Sequence, residues 1–231
     1  MVDKCKVPFV KVASMDLNNF LFLEYIGKKN IPIVLSTGMG TIEEIKDALK
    51  VLEKTNNKNI SILHCISIYP PEIQTIRLKN ILGLRKEFPA YPIGFSDHSL
   101  GIEIPIAAVA LGACLIEKHF TLDKSKIGMD NQVATEPYEM LQLVKACHNV
   151  QTALGAEERI ILDAEIKKRI EMRRSLVANK ELKANSILSL EDLDTKRPGI
   201  GIPPNEINEV VGKELKNDIE KDSVKIGRAH V

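Results

Sequence analysis

Tryptophan is absent from this chain of 231 residues, and aromatic side chains of all kinds make up only 4% of it. So few rings leave no platform on which bases could stack. An excess of charge is missing as well: 32 basic against 31 acidic residues leave a formal net charge of +1, and no strong field draws a polyanion. Both absences exclude nucleic acid as a partner. Long apolar runs are also lacking. The longest, Ile102 to Ile116, is broken by Glu103 and Pro105 and falls short of the roughly 20 residues that cross a bilayer, and the N-terminus has no signal-peptide apolar region. No membrane association is expected. Cysteine is scarce: Cys5, Cys65, Cys114 and Cys147 show no C-x-x-C spacing, and Cys65 and Cys114 fall in apolar strand-like runs, where a thiol behaves as a small hydrophobe. A reduced, cytoplasmic setting is the expectation.

What is present is an ordinary globular composition, 44% hydrophobic and 27% charged, enough for one large domain and a small one. Strand-like runs at Phe9 to Ala13, Pro32 to Leu35, Ile60 to Ile66, Tyr91 to Phe95 and Cys114 to Ile116 are each followed by a helix-patterned stretch. The helices are predicted at Asn18 to Lys29, Thr41 to Lys54, Ile73 to Phe88, Leu100 to Gly112 and Pro137 to Leu154. Thr41-Ile42-Glu43-Glu44 marks its helix start well, with a hydroxyl for the orphan amides and acids for the positive dipole end. Five βα units cannot close an eight-stranded barrel, and polar residues at every strand exit favour a barrel without its first three units over an open sheet. The expected fold class is therefore α/β, a partial TIM (β/α)8 barrel made of its last five units. It should span residues 1–156, followed by a charged helical linker over 157–174 and a small β-rich domain over 175–225, where the texture changes to short β-like pieces and Pro-Gly turns. Residues 226–231 read like the translation of a sequencing adapter and are set aside as a non-native tail.

Chemistry should sit on the rim where the carboxyl ends of the strands converge. His98 and His119 each lie at a strand exit, one βα unit apart, and form a candidate metal pair with open positions for substrate; the bland alternative is that each caps its strand through one hydrogen bond. Alternation places Glu117 with His119 and Ser96 with His98, while Lys118 takes the other face. Lys11, a cation inside an apolar strand, either snorkels to water or meets an anion, and the anion is preferred. Ser14, Ser36, Ser67 and Ser96 recur at four successive strand exits and could cradle a phosphate. His64 falls mid-strand and is expected to be a hydrogen-bonded core residue. His148 is expected on a solvated helix surface, and Tyr69 either covers a substrate or packs its turn.

Lys11-Val12-Ala13-Ser14, Leu35-Ser36-Thr37-Gly38-Met39, Leu63-His64-Cys65 with Tyr69-Pro70, Gly94-Phe95-Ser96-Asp97-His98 and Ile116-Glu117-Lys118-His119-Phe120, in this order and spacing, resemble the N-acetylneuraminate (sialic acid) synthase family. Lys196-Arg197-Pro198-Gly199-Ile200-Gly201 is similar to that family's C-terminal antifreeze-like domain. The resemblance implies condensation of phosphoenolpyruvate with the open-chain aldehyde of an N-acetylated hexosamine, such as N-acetylmannosamine, to a nine-carbon 2-keto sugar acid and phosphate. It implies a divalent metal, manganese in the first place and magnesium or cobalt as alternatives, on His98 and His119. By the same resemblance Lys11, Ser14, Ser36, Ser67 and Ser96 bind phosphoenolpyruvate, Glu117 and Asp16 are the acidic catalytic positions, and Asp130 contacts the sugar. Arg197 would reach into the partner subunit's barrel mouth, which implies a domain-swapped homodimer.

Two departures bear on specificity: Ser67 stands where the family often has asparagine, and Gly128-Met129-Asp130-Asn131 replaces Gly-Pro-Asp-His. Legionaminic or pseudaminic acid synthesis is the alternative within the family. Outside it stand a Schiff-base aldolase using Lys11 and a noncatalytic carbohydrate-binding protein, the latter disfavoured by Lys11, His98, Glu117 and His119 occurring together. Without three further βα units the 231-residue chain is expected to be inactive by itself.

Overall fold

The structure, a computed structural model, describes residues 6–224, which fall into two compact units divided after Gly155. In the first, strands and helices alternate: β1 (Val10–Val12), α1 (Phe20–Gly27), β2 (Ile33–Ser36), α2 (Ile42–Glu53), β3 (Ile60–Cys65), α3 (Asn80–Glu87), β4 (Ile93–Asp97), α4 (Glu103–Ala110), β5 (Ile116–Lys118) and α5 (Pro137–Leu154). The five strands pair in chain order, all parallel. They curl into part of a barrel, the α/β architecture predicted above.

Strands covered on both faces read as near-continuous apolar runs, and β2 and β4 are buried at every residue. Alternate side chains serve different layers. Val12, Leu35, Ile62 and Phe95 pack outward against Leu23, Leu49, Leu52 and Ile81 of the helices, whereas Lys11, Ser36, Ser96 and Glu117 line an inner cavity. α2 buries Ile45, Ala48, Leu49 and Leu52, a stripe at helical spacing. Its start is closed as expected: Thr41 Oγ1 accepts from the Glu44 N–H at 3.2 Å while Glu44 Oε2 accepts from the Thr41 N–H at 2.8 Å.

Three expectations need correction. The helix predicted from Ile73 to Phe88 is a short 3-10 turn at Ile73–Thr75, then a break at Arg77 (φ 48°), then α3. Its cause is tertiary: the Ile76 carbonyl accepts from His64 Nε2 at 2.7 Å, and the Asn80 N–H turns back to Arg77 O instead. β4 and β5 end two residues later than predicted, so Asp97 and Lys118 belong to the sheet and the histidines follow directly. Cys114, expected in a strand, lies before β5 and is exposed.

The second unit holds α6 (Asp163–Met172), shorter than the predicted 157–174, and the antiparallel pair β6 (Ser175–Ala178) and β7 (Leu193–Lys196). Leu176, Leu182, Leu188, Val210, Leu215 and Ile219 form its core. The predicted non-native tail, 226–231, lies outside the described residues, as does Cys5.

Candidate active site

The curl of the sheet brings its two edges together at the top. Lys11 on β1 and Glu117 on β5 form an ion pair at 3.2 Å although three strands lie between them in the sheet. The anion expected for Lys11 is thus, in the first instance, a carboxylate of the same chain. Around this pair Ser14, Ser36, Cys65, Tyr69, Ser96, His98 and His119 line a cavity of about 230 Å3.

The serines are placed by backbone chemistry. Ser14 Oγ accepts from the Gly38 N–H at 2.9 Å. A Cβ at Gly38 would overlap Ser67 Oγ and lie 2.8 Å from Ser14 Oγ and 3.1 Å from Cys65 Sγ, so three polar side chains close on a position that only glycine leaves open. Ser67 stands behind the cavity wall, 3.8 Å from Cys65. Cys65 corrects its expected role as mere packing. Burial pushes its thiol up, but hydrogen bonds from His98, Ser14 and Ser67 and the nearby imidazole outweigh this and bring it down to about 7.

The two imidazoles face each other with ring centres 5.2 Å apart. His98 Nδ1 lies 3.2 Å from Ile66 O; a carbonyl only accepts, so this nitrogen carries a hydrogen, and the neutral tautomer that fits this contact has its lone pair on Nε2. His119 Nε2 is buried with no hydrogen-bond partner and lies 4.0 Å from Asp130 Oδ2. Burial, reinforced by the neighbouring His98, lowers the His119 pKa and favours the neutral ring. Tyr69 sets its ring edge against both, at 4.2 Å and 5.8 Å between centres, and burial raises its hydroxyl's pKa.

Among the described residues, four buried side-chain polar atoms make no hydrogen bond, and three of them belong to this cavity's lining: Ser36 Oγ, His119 Nε2 and Glu117 Oε2, the last of which has only its ion pair with Lys11. A buried polar atom without a partner costs about 1–3 kcal/mol. Two such atoms, Ser36 Oγ and His119 Nε2, beside an ion pair mark where a polar ligand is expected to be received.

Ser67 and Asp130 adjoin lining residues without lining the cavity themselves, and Asp16 stands elsewhere. Asp16 does not line the cavity: its carboxylate accepts from the Asn19 amide at 3.1 Å. Arg197 belongs to the second unit, with its guanidinium 3.5 Å from the Met172 sulfur. His64 is the core residue expected, buried and stacked on Phe95, and His148 is exposed. Sequence reasoning missed the Asp97–Lys118 ion pair, 2.6 Å long with side chains 1% and 2% exposed. Its signal was present in the sequence: opposite charges immediately before each histidine.

Comparison with known proteins now decides the family. The NeuB family profile matches residues 1–159. The chain belongs to the NeuB family. A SAF domain, the antifreeze-like type, follows at 173–224. The N,N'-diacetyllegionaminic acid synthase of Legionella pneumophila is 38% identical over 91% of this chain and 60% of its own length. Human N-acetylneuraminate-9-phosphate synthase is 38% identical over 96% of the chain and 62% of its own. The solved N-acetylneuraminic acid synthetase of Leptospira borgpetersenii superposes with a TM-score of 0.67 at 34% identity, over 72% of this chain and 57% of that one. This NeuB chain therefore spans about 60% of the length of the curated relatives it matches.

The resemblance implies a divalent metal, and the residues can be tested against one. Among the described residues no group of three or more His, Cys, Asp or Glu could enclose an ion. Two imidazoles do fit an open site: the Nδ1 contact of His98 with Ile66 O leaves Nε2 as the ligating atom of its neutral ring, and His119 Nε2 is buried without a hydrogen-bond partner. Among the described residues no helix is long and apolar enough to cross a membrane.

Proposed function

We propose that this NeuB chain carries the donor and metal half of a sialic-acid-synthase-type condensation, in which phosphoenolpyruvate adds to the aldehyde of an N-acetylated hexosamine with release of phosphate. The observation that carries it is the gathering of Ser36 Oγ and His119 Nε2, both buried without hydrogen-bond partners, beside the Lys11–Glu117 ion pair. Lys11 would neutralise the donor's phosphate or carboxylate, and Ser14, Ser36 and Ser96 would donate hydroxyl hydrogens to its oxygens, with Ser67 backing them beside Cys65. An anion on Lys11 takes over the charge that Glu117 now compensates. Glu117 is then released to hold or move a proton beside the reacting carbon, which is why it is preferred over Asp16 as the acid–base group.

His98 and His119 would hold the divalent ion, manganese in the first place, whose chemistry is to polarise the aldehyde oxygen. Tyr69, with its ring edge against both imidazoles, would cover the substrate, and Asp130, 4.0 Å from His119, would contact the sugar. The full reaction is assigned to a longer polypeptide acting as a domain-swapped homodimer in the cytoplasm, with Arg197 contributed by the 175–225 domain and 157–174 as its connector. N-acetylmannosamine is the first acceptor to try. The di-N-acetylated precursors of legionaminic and pseudaminic acids come next, since relatives of comparable identity carry both names.

Calorimetric titration of the 231-residue chain with phosphoenolpyruvate in the presence of Mn2+ tests the donor site. Saturable binding is expected, weakened at least about tenfold by Lys11→Ala, and no binding at millimolar concentration would refute the assignment. The chain alone is expected to release no phosphate when N-acetylmannosamine is added, and measurable turnover would refute that part. Borohydride trapping of a carbonyl substrate on Lys11 would instead establish the Schiff-base aldolase.

A further inference from the structure

We propose that the buried Asp97–Lys118 ion pair is a positioning device that sets the spacing of the His98 and His119 rings. The inference rests on those rings acting together as ligands. Each member of the pair is the chain neighbour of one ring, and Asp97 and Lys118 are register partners across β4 and β5. The two imidazoles therefore step off the sheet from the same rung.

The hydrogen bonds around the pair are directional. Lys118 Nζ donates to Asp97 Oδ2 and to Ser99 O, both at 2.6 Å, and Asp97 Oδ1 accepts from the Ser99 N–H at 3.0 Å. His98 thus sits between two residues that are both bonded to Lys118, while His119 is the residue that follows Lys118. One ammonium holds the backbone on either side of the first ring and the strand end before the second.

Such an arrangement is a poor way to gain stability. Both side chains are almost wholly withdrawn from water, and well-packed apolar residues of the same volume generally serve a fold as well or better. Hydrogen bonds supply what apolar packing cannot, a separation defined to tenths of an ångström. The location is also where definition is needed. β5 is a three-residue edge strand paired only with β4, and its last residue is Lys118. Beyond it the His119 carbonyl accepts from the Thr135 N–H at 2.8 Å and from the Thr135 hydroxyl at 2.7 Å, so Thr135 holds the chain after the second ring and the ion pair holds it before.

The test replaces both charges at once, Asp97→Leu with Lys118→Met, so that neither ion is left alone in the interior. Nitrogen-15 NMR of the ring nitrogens in the 231-residue chain is the first readout. In the unaltered chain His98 should show a single tautomer protonated at Nδ1; in the double variant the tautomers should mix and both ring signals shift. Mn2+ titration followed by EPR is the second, with affinity expected to fall roughly 10–100-fold. Circular dichroism establishes that the variant is folded.

Lys118→Arg keeps the charge but moves the donors, and should displace the ring signals while preserving the fold. A folded variant with unmoved ring signals and Mn2+ affinity within about twofold overturns the proposal. Loss of folding in both variants makes the pair a stability element and overturns it equally. Failure of the unaltered chain to bind Mn2+ would sink the ligand reading, and the ring signals would still judge the pair.

Discussion

Replacing Gly38 with alanine separates binding from folding in this site. Gly38 has no positive φ, so alanine is compatible with its backbone, and the loss of unfolded-chain freedom favours the variant by about 0.4–1 kcal/mol. Against this, the new methyl would overlap Ser67 Oγ and lie 2.8 Å from Ser14 Oγ, nearer than carbon and oxygen rest. Both hydroxyls can turn away about a single torsion. Ser14 then gives up its bond from the Gly38 N–H, worth about 0.5–1.5 kcal/mol, so stability changes little. Binding does not escape so cheaply. Of the two, Ser14 lines the cavity, and withdrawing its hydroxyl from a charged donor removes about 1.5–3 kcal/mol, a loss of about tenfold to a hundredfold in affinity. The assay is phosphoenolpyruvate titration beside a thermal melt of Gly38→Ala. A variant that binds like the unaltered chain refutes the cradle, and one that fails to fold refutes the steric reasoning.

Leu35→Ala removes a side chain of the β2 interior that is 0% exposed, and should destabilise the first unit by about 2–5 kcal/mol. Its melting midpoint should drop by roughly 4–20 °C, and an unchanged midpoint would show that the helix-facing layer is not its core. In the second unit, hydrogen bonds from Lys180 and from the Ser189 backbone and hydroxyl bring Asp192 down to about 2 from an ordinary 3.8. A depressed carboxylate stabilises the fold above its unfolded value and loses that contribution as pH falls through the folded one, so the window runs from about pH 4 to pH 2. Asp192→Asn should flatten this part of the acid-unfolding curve followed by circular dichroism, and equal slopes would remove Asp192 from the account.

Local pattern carried the fold far. The β2 and β3 runs are mainly apolar stretches between turn residues, Thr41 and Glu44 are a sequence-level helix start, and strand exits can be counted from them. Local pattern failed where a distant partner decided the outcome. Nothing near Ile76 announces that its carbonyl will be taken by His64 from a neighbouring strand. In the site, Ser36, Ser96, His98 and His119 were legible because position at a strand exit already specifies direction. The contact of Lys11 with Glu117 was not, since it depends on how tightly the sheet curls. Asp97 and Lys118 lie adjacent to the histidines and still escaped notice, because charges on the helix-facing side of a strand are expected to seek water. Here they find each other and the backbone of Ser99.

Lys11 and Glu117 are mounted on the two strands that end the sheet, β1 and β5. An apolar hollow of about 810 Å3 involves both residues and is lined further by Phe9, Val34, Ile116 and Leu143. Salt bridges usually tie elements already held by other forces. This one spans a slot whose lips share no backbone bond, so its length gauges how far the slot stands open. Polypeptide wedged into that slot would spread cation and carboxylate apart, turning a self-satisfied couple into two separate handles for a reacting molecule.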